Sequence, residues 1–397
     1  MNRILLLIYV ASLILAACQP ASHKGTIAEL RHMQIEFKQE KVENGLDKAM
    51  LSYQDFLNNS PESDLTPEAL RRLADLKIEK EYGCLIEGGS PAGETQEEIV
   101  PAREEGSTGN TLEMVRKESP ASAFVPVFDE SEEEFEHRAP LEQWDGMAGV
   151  ESGQTEKGIN DLEREGAREA LALYTKLLNE YPLYEHNDKV LYQMSRAYEE
   201  LGQIDEAIDV MERLFRDFPG SSYIAEIQFR RAEYYFSRRR YLEAEDAYSS
   251  IVDKAAHSTF FELALYKLGW TFYKQELYED ALHPFIALLD HKVTQGYDFT
   301  QIEDEQERKR LEDTFRVISL SFSNLGGPDS VVEYFSEQGK RSYEDSIYSN
   351  LGEFYFDKRR YADAASAYTA FISRNPYHRA APAFHMRVIE IHTKGGF

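Results

Sequence analysis

Gly202-Gln203-Ile204-Asp205-Glu206-Ala207 decides the fold, because the chain repeats its context three more times. The copies are Tyr241-Leu242-Glu243-Ala244, Tyr278-Glu279-Asp280-Ala281 and Tyr361-Ala362-Asp363-Ala364. Twelve residues before each alanine stands a small residue: Ser195, Ala232, Gly269 or Gly352. Nine before stands an aromatic: Tyr198, Tyr235, Phe272 or Tyr355. Four after stands a large side chain: Met211, Tyr248, Phe285 or Tyr368. Seven after stands Leu214, Ile251, Leu288 or Phe371, and Pro219 and Pro376 close two of the units. Spacings of three, four and seven keep each set on one helix face. Small residues allow two helices to touch, and the large ones fill the space beside the contact. One such hairpin cannot bury its apolar face alone, so the units must stack.

Working outward, the next unit is degenerate: Phe322, Leu325, Gly326 and Phe335 align it, with Val331 in the place of the alanine. A charge-rich insertion near 291–313 precedes it. Upstream, Ala49, Tyr53, Phe56 and Pro61 show the second-helix pattern, as do Ala170, Tyr174, Leu177 and Pro182. Thr66-Pro67-Glu68 opens an amphipathic helix carrying Leu70, Leu73 and Ile78. The first helix of that unit is expected to end near Tyr82 and its second to begin near Asp161, so 83–160 reads as an insertion within a hairpin. Residues 86–160 carry 18 acidic and 5 basic residues, five prolines and the run Glu132-Glu133-Glu134. Such a segment buries too little apolar surface to offset its ordering entropy, and disorder is expected throughout. Phe124-Val125-Pro126-Val127-Phe128 is its one apolar island, a docking peptide or, by the blander reading, an incidental patch. At the other end, Phe384, Val388 and Ile391 continue a first-helix pattern and Gly395-Gly396-Phe397 fall where a turn would follow. The expectation is an array that ends mid-repeat, either as a fragment of a longer protein, the favoured reading, or with a partner completing the unit.

These recurring classes of position resemble the tetratricopeptide repeat, although steps of 37 exceed the usual 34 residues. The resemblance implies an all-α fold, an α-solenoid of helix hairpins whose first helices line a concave face that binds proteins or peptides. Carried over residue by residue, the candidate groove is Tyr192 and Arg196 in one unit, Phe229 and Phe236 in the next, Tyr266, Trp270 and Tyr273 in a third, and Phe356 further on. Aromatics and arginine dominate binding hot spots. The competing reading packs these aromatics between adjacent repeats. Two basic clusters, Arg238-Arg239-Arg240 and Lys358-Arg359-Arg360, fall at equivalent inter-helix turns and project from one edge. An acidic partner, an anionic headgroup or the chain's own acidic insertion would suit them, as would plain solubility and the favourable charge at a helix C-terminus.

The N-terminus adds a location. Arg3 precedes an unbroken apolar run from Ile4 to Leu15, too short to span a ~30 Å hydrocarbon core but suited to a secretory signal. The run ends in Leu15-Ala16-Ala17-Cys18, which resembles the bacterial lipobox. That resemblance implies cleavage before Cys18 and its lipidation, and Gln19 in place of a retention aspartate favours the outer membrane. Cys84 then reads as a partly buried structural thiol.

The expected organisation is a signal peptide at 1–17, a lipidated tether at 18–26, repeat-like helices at 27–82, the acidic insertion at 83–160, and the array at 161–397. Of 397 residues, 71 are acidic and 44 basic, a net charge of −27 that opposes binding to a phosphate backbone. No phosphate loop, dinucleotide fingerprint, zinc motif or nucleophile elbow is present, so no catalytic residue, cofactor, metal or small-molecule substrate is expected. His378, His385 and His392 recur every seven residues, ~10.5 Å apart on a helix, too far to share a metal. As a whole the chain resembles bacterial outer-membrane tetratricopeptide lipoproteins. The implied role is a non-enzymatic scaffold at the periplasmic face with envelope proteins as partners. A chain ending mid-repeat also fits the repeat portion of a larger enzyme or enzyme regulator in cell-wall or polysaccharide handling.

Overall fold

The computed structural model describes residues 45–82, 130–141, 161–299, 302 and 304–396. The chain divides into two units, residues 1–49 and 50–397. Of the first, the described residues 45–49 are the opening of helix α1 (Gly45–Asn59). Cys18, the tether, Cys84 and the island at 124–128 lie outside the described residues.

The second unit is built from helices. After α1 come α2 (Thr66–Tyr82), α3 (Glu132–Arg138), α4 (Asp161–Glu180), α5 (Asn187–Glu200), α6 (Ile204–Asp217), α7 (Ile224–Ser237) and α8 (Tyr241–Lys254). They continue with α9 (Phe261–Lys274), α10 (Tyr278–Thr294), α11 (Glu305–Leu325), α12 (Pro328–Glu337), α13 (Glu344–Asp357), α14 (Tyr361–Arg374) and α15 (Ala381–Gly395). Among the described residues no strand occurs. Helices pair as hairpins, α5 with α6, α7 with α8, α9 with α10 and α13 with α14, and each pair stacks on the next. This is the α-solenoid of tetratricopeptide-like hairpins that the residue pattern implies. The alanines Ala207, Ala244, Ala281 and Ala364 are fully buried, and one apolar core runs from Leu70 to Ile391.

The small positions explain how closely the hairpins close. A methyl group added to Gly269 would sit 2.6 Å from the Phe285 ring, and one added to Gly352 would sit 2.5 Å from the Tyr368 ring. Here the first helix gives up its side chain so that the second can lay an aromatic against its backbone. The added length of the 37-residue step lies between hairpins, in six-residue connections at 218–223 and 255–260.

Within hairpins the turn is the same each time. Gly202, Arg239, Glu276 and Arg359 occupy equivalent positions with φ of 72°, 59°, 62° and 57°. The following amide donates to the aromatic carbonyl of the first helix: Gln203 N to Tyr198 O, Arg240 N to Tyr235 O, Leu277 N to Phe272 O and Arg360 N to Tyr355 O. This is a Schellman ending, whose left-handed residue is usually glycine. Three of the four turns carry a charged side chain there instead.

The degenerate unit is formed by α11 and α12, with Val331 buried in the alanine position. The charge-rich stretch before it is taken up by extending α10 to Thr294 and opening α11 at Glu305. Lys292 Nζ joins the two, 2.6 Å from Glu262 and 2.7 Å from Glu307. Helices α2 and α4, separated by residues 83–160, pack on each other. Tyr174 donates to Asp75 at 2.6 Å, and Arg71 lies 2.6 Å from both Glu68 and Asp75.

Residues 130–141 correct the expectation of disorder across 83–160. Glu132–Arg138 is a helix and Ala139–Leu141 a 3-10 turn. Ser131 closes a capping box: its hydroxyl accepts from the Glu134 amide while the Glu134 carboxylate accepts from the Ser131 amide. Glutamates fill the first turn and Arg138 the last, which suits the helix dipole. Composition averaged over the insertion hid these local signals.

Candidate protein-binding groove

Tyr266, Trp270 and Tyr273 follow at steps of four and three, so they form one stripe along α9. Lys267 and Lys274 flank the stripe, and α11 adds Asp313 and Arg316. Residues 130–141 lie on this surface. Phe135 is fully buried, its ring 5.5 Å from that of Trp270 at an interplanar angle of 58°. The Arg316 guanidinium stands 4.1 Å from the Phe135 centroid and that of Arg138 stands 5.8 Å away. Trp270 is itself 0% exposed under this cover.

Polar contacts hold both ends of the segment. Tyr266 Oη donates to the Ala139 carbonyl at 3.0 Å, and Lys267 Nζ donates to the Pro140 carbonyl at 2.9 Å. Lys267 also donates to Glu233 at 2.9 Å, which balances its charge in a buried position. Tyr273 Oη donates to Glu136 at 2.7 Å, with Lys274 3.4 Å from the same carboxylate. Arg138 grips Asp313 with two parallel bonds of 2.8 and 2.9 Å and also donates to Glu130 at 2.7 Å. Arg316 donates to the Glu130 carboxylate and carbonyl, both at 3.1 Å. Lys358 pairs with Glu132 at 2.9 Å.

The protonation states suit these roles. Burial, then the Glu136 hydrogen bond, pushes the Tyr273 phenol well above its ordinary range and keeps it a donor. The hydrogen bond from Arg138 holds the Glu130 carboxyl below its ordinary 4.5. Hydrogen bonds to Asp313 and then Glu130 raise Arg138 further above the range in which it would lose its proton. Such charge-assisted, two-pronged bonds fix orientation as well as adding energy. One buried donor is left over: Trp270 Nε1 has no acceptor among the described residues.

The other sequence-derived groove residues divide. Tyr192 stacks on Tyr223 at 4.2 Å and donates to Glu226 at 2.8 Å, while Arg196 lies half-buried beside it, 3.3 Å from its hydroxyl. Phe229 is a packing residue, enclosed by Tyr248 and Phe260 of its own and the following hairpin. Phe236 is buried against Tyr241, with Lys267 5.9 Å from its ring. Phe356 stays half-buried beneath Arg387 and Lys394, whose charges lie 4.4 and 4.7 Å from its centroid.

The basic edge is similarly mixed. Arg238 lies over Tyr234 at 3.8 Å and Arg240 over Tyr235 at 4.7 Å, with Glu243 2.6 Å from Arg240. Arg360 lies over Tyr355 at 4.4 Å and pairs with Asp363 at 2.7 Å. Arg239 and Arg359 are exposed at the left-handed turn positions, and Lys358 reaches the acidic segment. Sequence reasoning missed Lys267, Lys274, Asp313 and Arg316. The signal that would have led to them is the capping box at Ser131–Glu134 around a lone phenylalanine.

Among the described residues no cluster of His, Cys, Asp and Glu is arranged to hold a metal, and no helix is long and apolar enough to cross a membrane.

Two stretches match models described as tetratricopeptide repeat, residues 162–230 and 345–378. Curated proteins give no match. Among solved structures, a tetratricopeptide repeat protein from Parabacteroides merdae is similar over 87% of this chain and 92% of its own, at 12% identity and a TM-score of 0.34. MamA 41-end from Desulfovibrio magneticus RS-1 is similar over 44% of this chain and 85% of its own, at 16% identity and a TM-score of 0.29. The chain thus carries tetratricopeptide repeats, and arrays of this kind are typically non-catalytic scaffolds that bind proteins or peptides.

Proposed function

We propose that this chain is a lipid-anchored scaffold of the bacterial outer membrane whose tetratricopeptide groove captures protein segments for an envelope complex. One observation carries the binding role: the groove already holds a short peptide helix by the means such grooves use. An aromatic anchor sits on Trp270, two backbone carbonyls are taken by Tyr266 and Lys267, and Asp313 takes an arginine. The lipobox-like Leu15-Ala16-Ala17-Cys18 supports the anchor, and Gln19 supports the outer membrane.

Two measurements in the native host test this. Cys18→Ser is expected to abolish incorporation of labelled palmitate and release the protein from the outer-membrane fraction. Photo-crosslinkers placed at Arg196 and Phe356, the half-buried positions of the groove row, are expected to yield adducts with envelope proteins. Unchanged lipid labelling would refute the anchor, and an absence of protein adducts from both positions would refute the scaffold.

A further inference from the structure

Residues 130–141 belong to neither helix of a hairpin. They are tethered at both ends, by 83–129 to α2 and by 142–160 to α4, yet they bind far along the array at α9 and α11. Their contacts are those of a ligand. Side chains of the array reach the segment's backbone carbonyls, one aromatic is buried, and carboxylates meet Lys274, Arg316 and Lys358. The fit is also incomplete, since the buried Trp270 Nε1 finds no acceptor among the described residues.

Resting on the reading of this row as a protein-binding groove, we propose that residues 130–141 are a built-in competitor. The site they fill takes, from a separate protein, a short acidic helix of the same design. Its chemistry follows from the contacts. Carboxylates are needed just before the helix and at its first residue, for Arg316 and Lys358. A phenylalanine must fall five residues after the first of them, as Phe135 does after Glu130. An arginine three residues later meets Asp313, and two free carbonyls beyond it meet Tyr266 and Lys267. A partner that also supplies an acceptor to the indole N–H binds better than the built-in segment.

The tether sets the threshold for exchange. A ligand in the same chain competes at an effective concentration on the order of millimolar when its linkers let it reach the site. A free peptide of equal intrinsic affinity is therefore excluded until its own concentration is comparable. Weakening the built-in segment removes that competition without touching the groove.

The test uses the full chain and a fluorescent peptide spanning residues 129–142, read by anisotropy. Against the unmodified chain the peptide is expected to bind only near millimolar concentration. Phe135→Ala, and separately Arg138→Glu, are expected to tighten binding at least tenfold. Adding Trp270→Ala to either is expected to remove the gain. In an independent arm, a groove carrying Asp313→Arg within the Phe135→Ala chain, whose own Arg138 then meets a like charge, is expected to prefer a peptide with glutamate in place of its arginine.

No tightening in either variant, with melting and helical circular dichroism unchanged, would overturn the proposal. Loss of the array's cooperative melting in both would do the same, because the segment would then be part of the core. Concentration-dependent dimers of the unmodified chain that Phe135→Ala abolishes would reassign the occupant to a second copy and overturn the partner assigned here. Peptide binding without any envelope adduct would leave this inference standing and sink the scaffold reading, so the two failures are separable.

Discussion

Phe135→Ala separates a docked segment from an integral one. Removing a buried phenylalanine costs about 3–5 kcal/mol where the surroundings hold their places. Phe135 is fully buried between Trp270 and Arg316, so the upper part of that range applies. The segment has little stability to spare. Ordering each residue costs about 1–2 kcal/mol of backbone entropy, and residues 130–141 bring one large apolar side chain and a set of partly exposed ion pairs against that cost. The array's core runs on through its hairpins from Ala170 to Ile391, and the hairpins are expected to persist without the segment. The docking equilibrium should therefore shift by between about a thousandfold and a few thousandfold, leaving the segment detached and the array folded. The chain's two tryptophans are Trp144 and Trp270, so Trp144→Phe makes Trp270 the sole reporter. In that background Phe135→Ala should move the emission to longer wavelength and admit acrylamide, with the melting temperature little changed. Emission that stays shielded while the melting temperature falls steeply would refute the reasoning.

Other perturbations have outcomes of known sign. Glu130 is held below its ordinary 4.5 by Arg138, so its contribution to docking is complete above that value and is lost as the pH falls through the depressed one. Acrylamide quenching of Trp270 should accordingly rise on acidification below about 4.5. Burial would raise the carboxyl of Glu68, but hydrogen bonds from Arg71, Tyr184 and Arg72 bring it down from 4.5 to about 2. The hairpin of α2 and α4 should therefore weaken between those two values, seen as faster amide exchange in residues 66–82 at pH 3 than at pH 5 after correction for intrinsic rates. Gly269→Ala forces the Phe285 ring to yield and should cost about 1–3 kcal/mol in denaturant unfolding. The preceding hairpin, with Ala232 and Tyr248 at the same positions, accommodates a methyl group, which favours the low end. Arg239→Gly relieves a left-handed non-glycine residue and should stabilise by about 1 kcal/mol in the same assay.

The fold was legible because a hairpin array writes its packing into fixed spacings. Ala207, Ala244, Ala281 and Ala364 recur with their neighbours because the same contact recurs. The groove was less legible, for a physical reason. Inner-face positions and inter-repeat positions are both aromatic here, and spacing does not tell Phe229, enclosed by Tyr248 and Phe260, from Trp270, one hairpin further on. What separates them is the occupant, which comes from more than a hundred residues upstream. A net acidic, proline-containing insertion averages to disorder, yet the helix within it at Glu132–Arg138 is set by a capping box and one phenylalanine. Docking onto a preformed surface, absent from any local window, stabilises it.

The charge of the chain takes on a different role once that segment is placed. Residues 86–160 carry nearly half of the net −27. Within them Glu130, Glu132 and Glu136 meet Arg316, Lys358 and Lys274 in a groove otherwise set in an acidic protein. At physiological ionic strength charges are screened within about 8 Å. The acidity of the array therefore does little to repel an acidic helix that has reached the groove, while the cations there act at contact. Recognition is short-ranged: the cations bring carboxylates to one end, Asp313 fixes the direction through Arg138, and the Trp270 ring decides whether an aromatic is present. A merely acidic peptide meets the first condition and fails the other two. A surface of surplus charge is thereby selective against most acidic chains, including the rest of its own insertion.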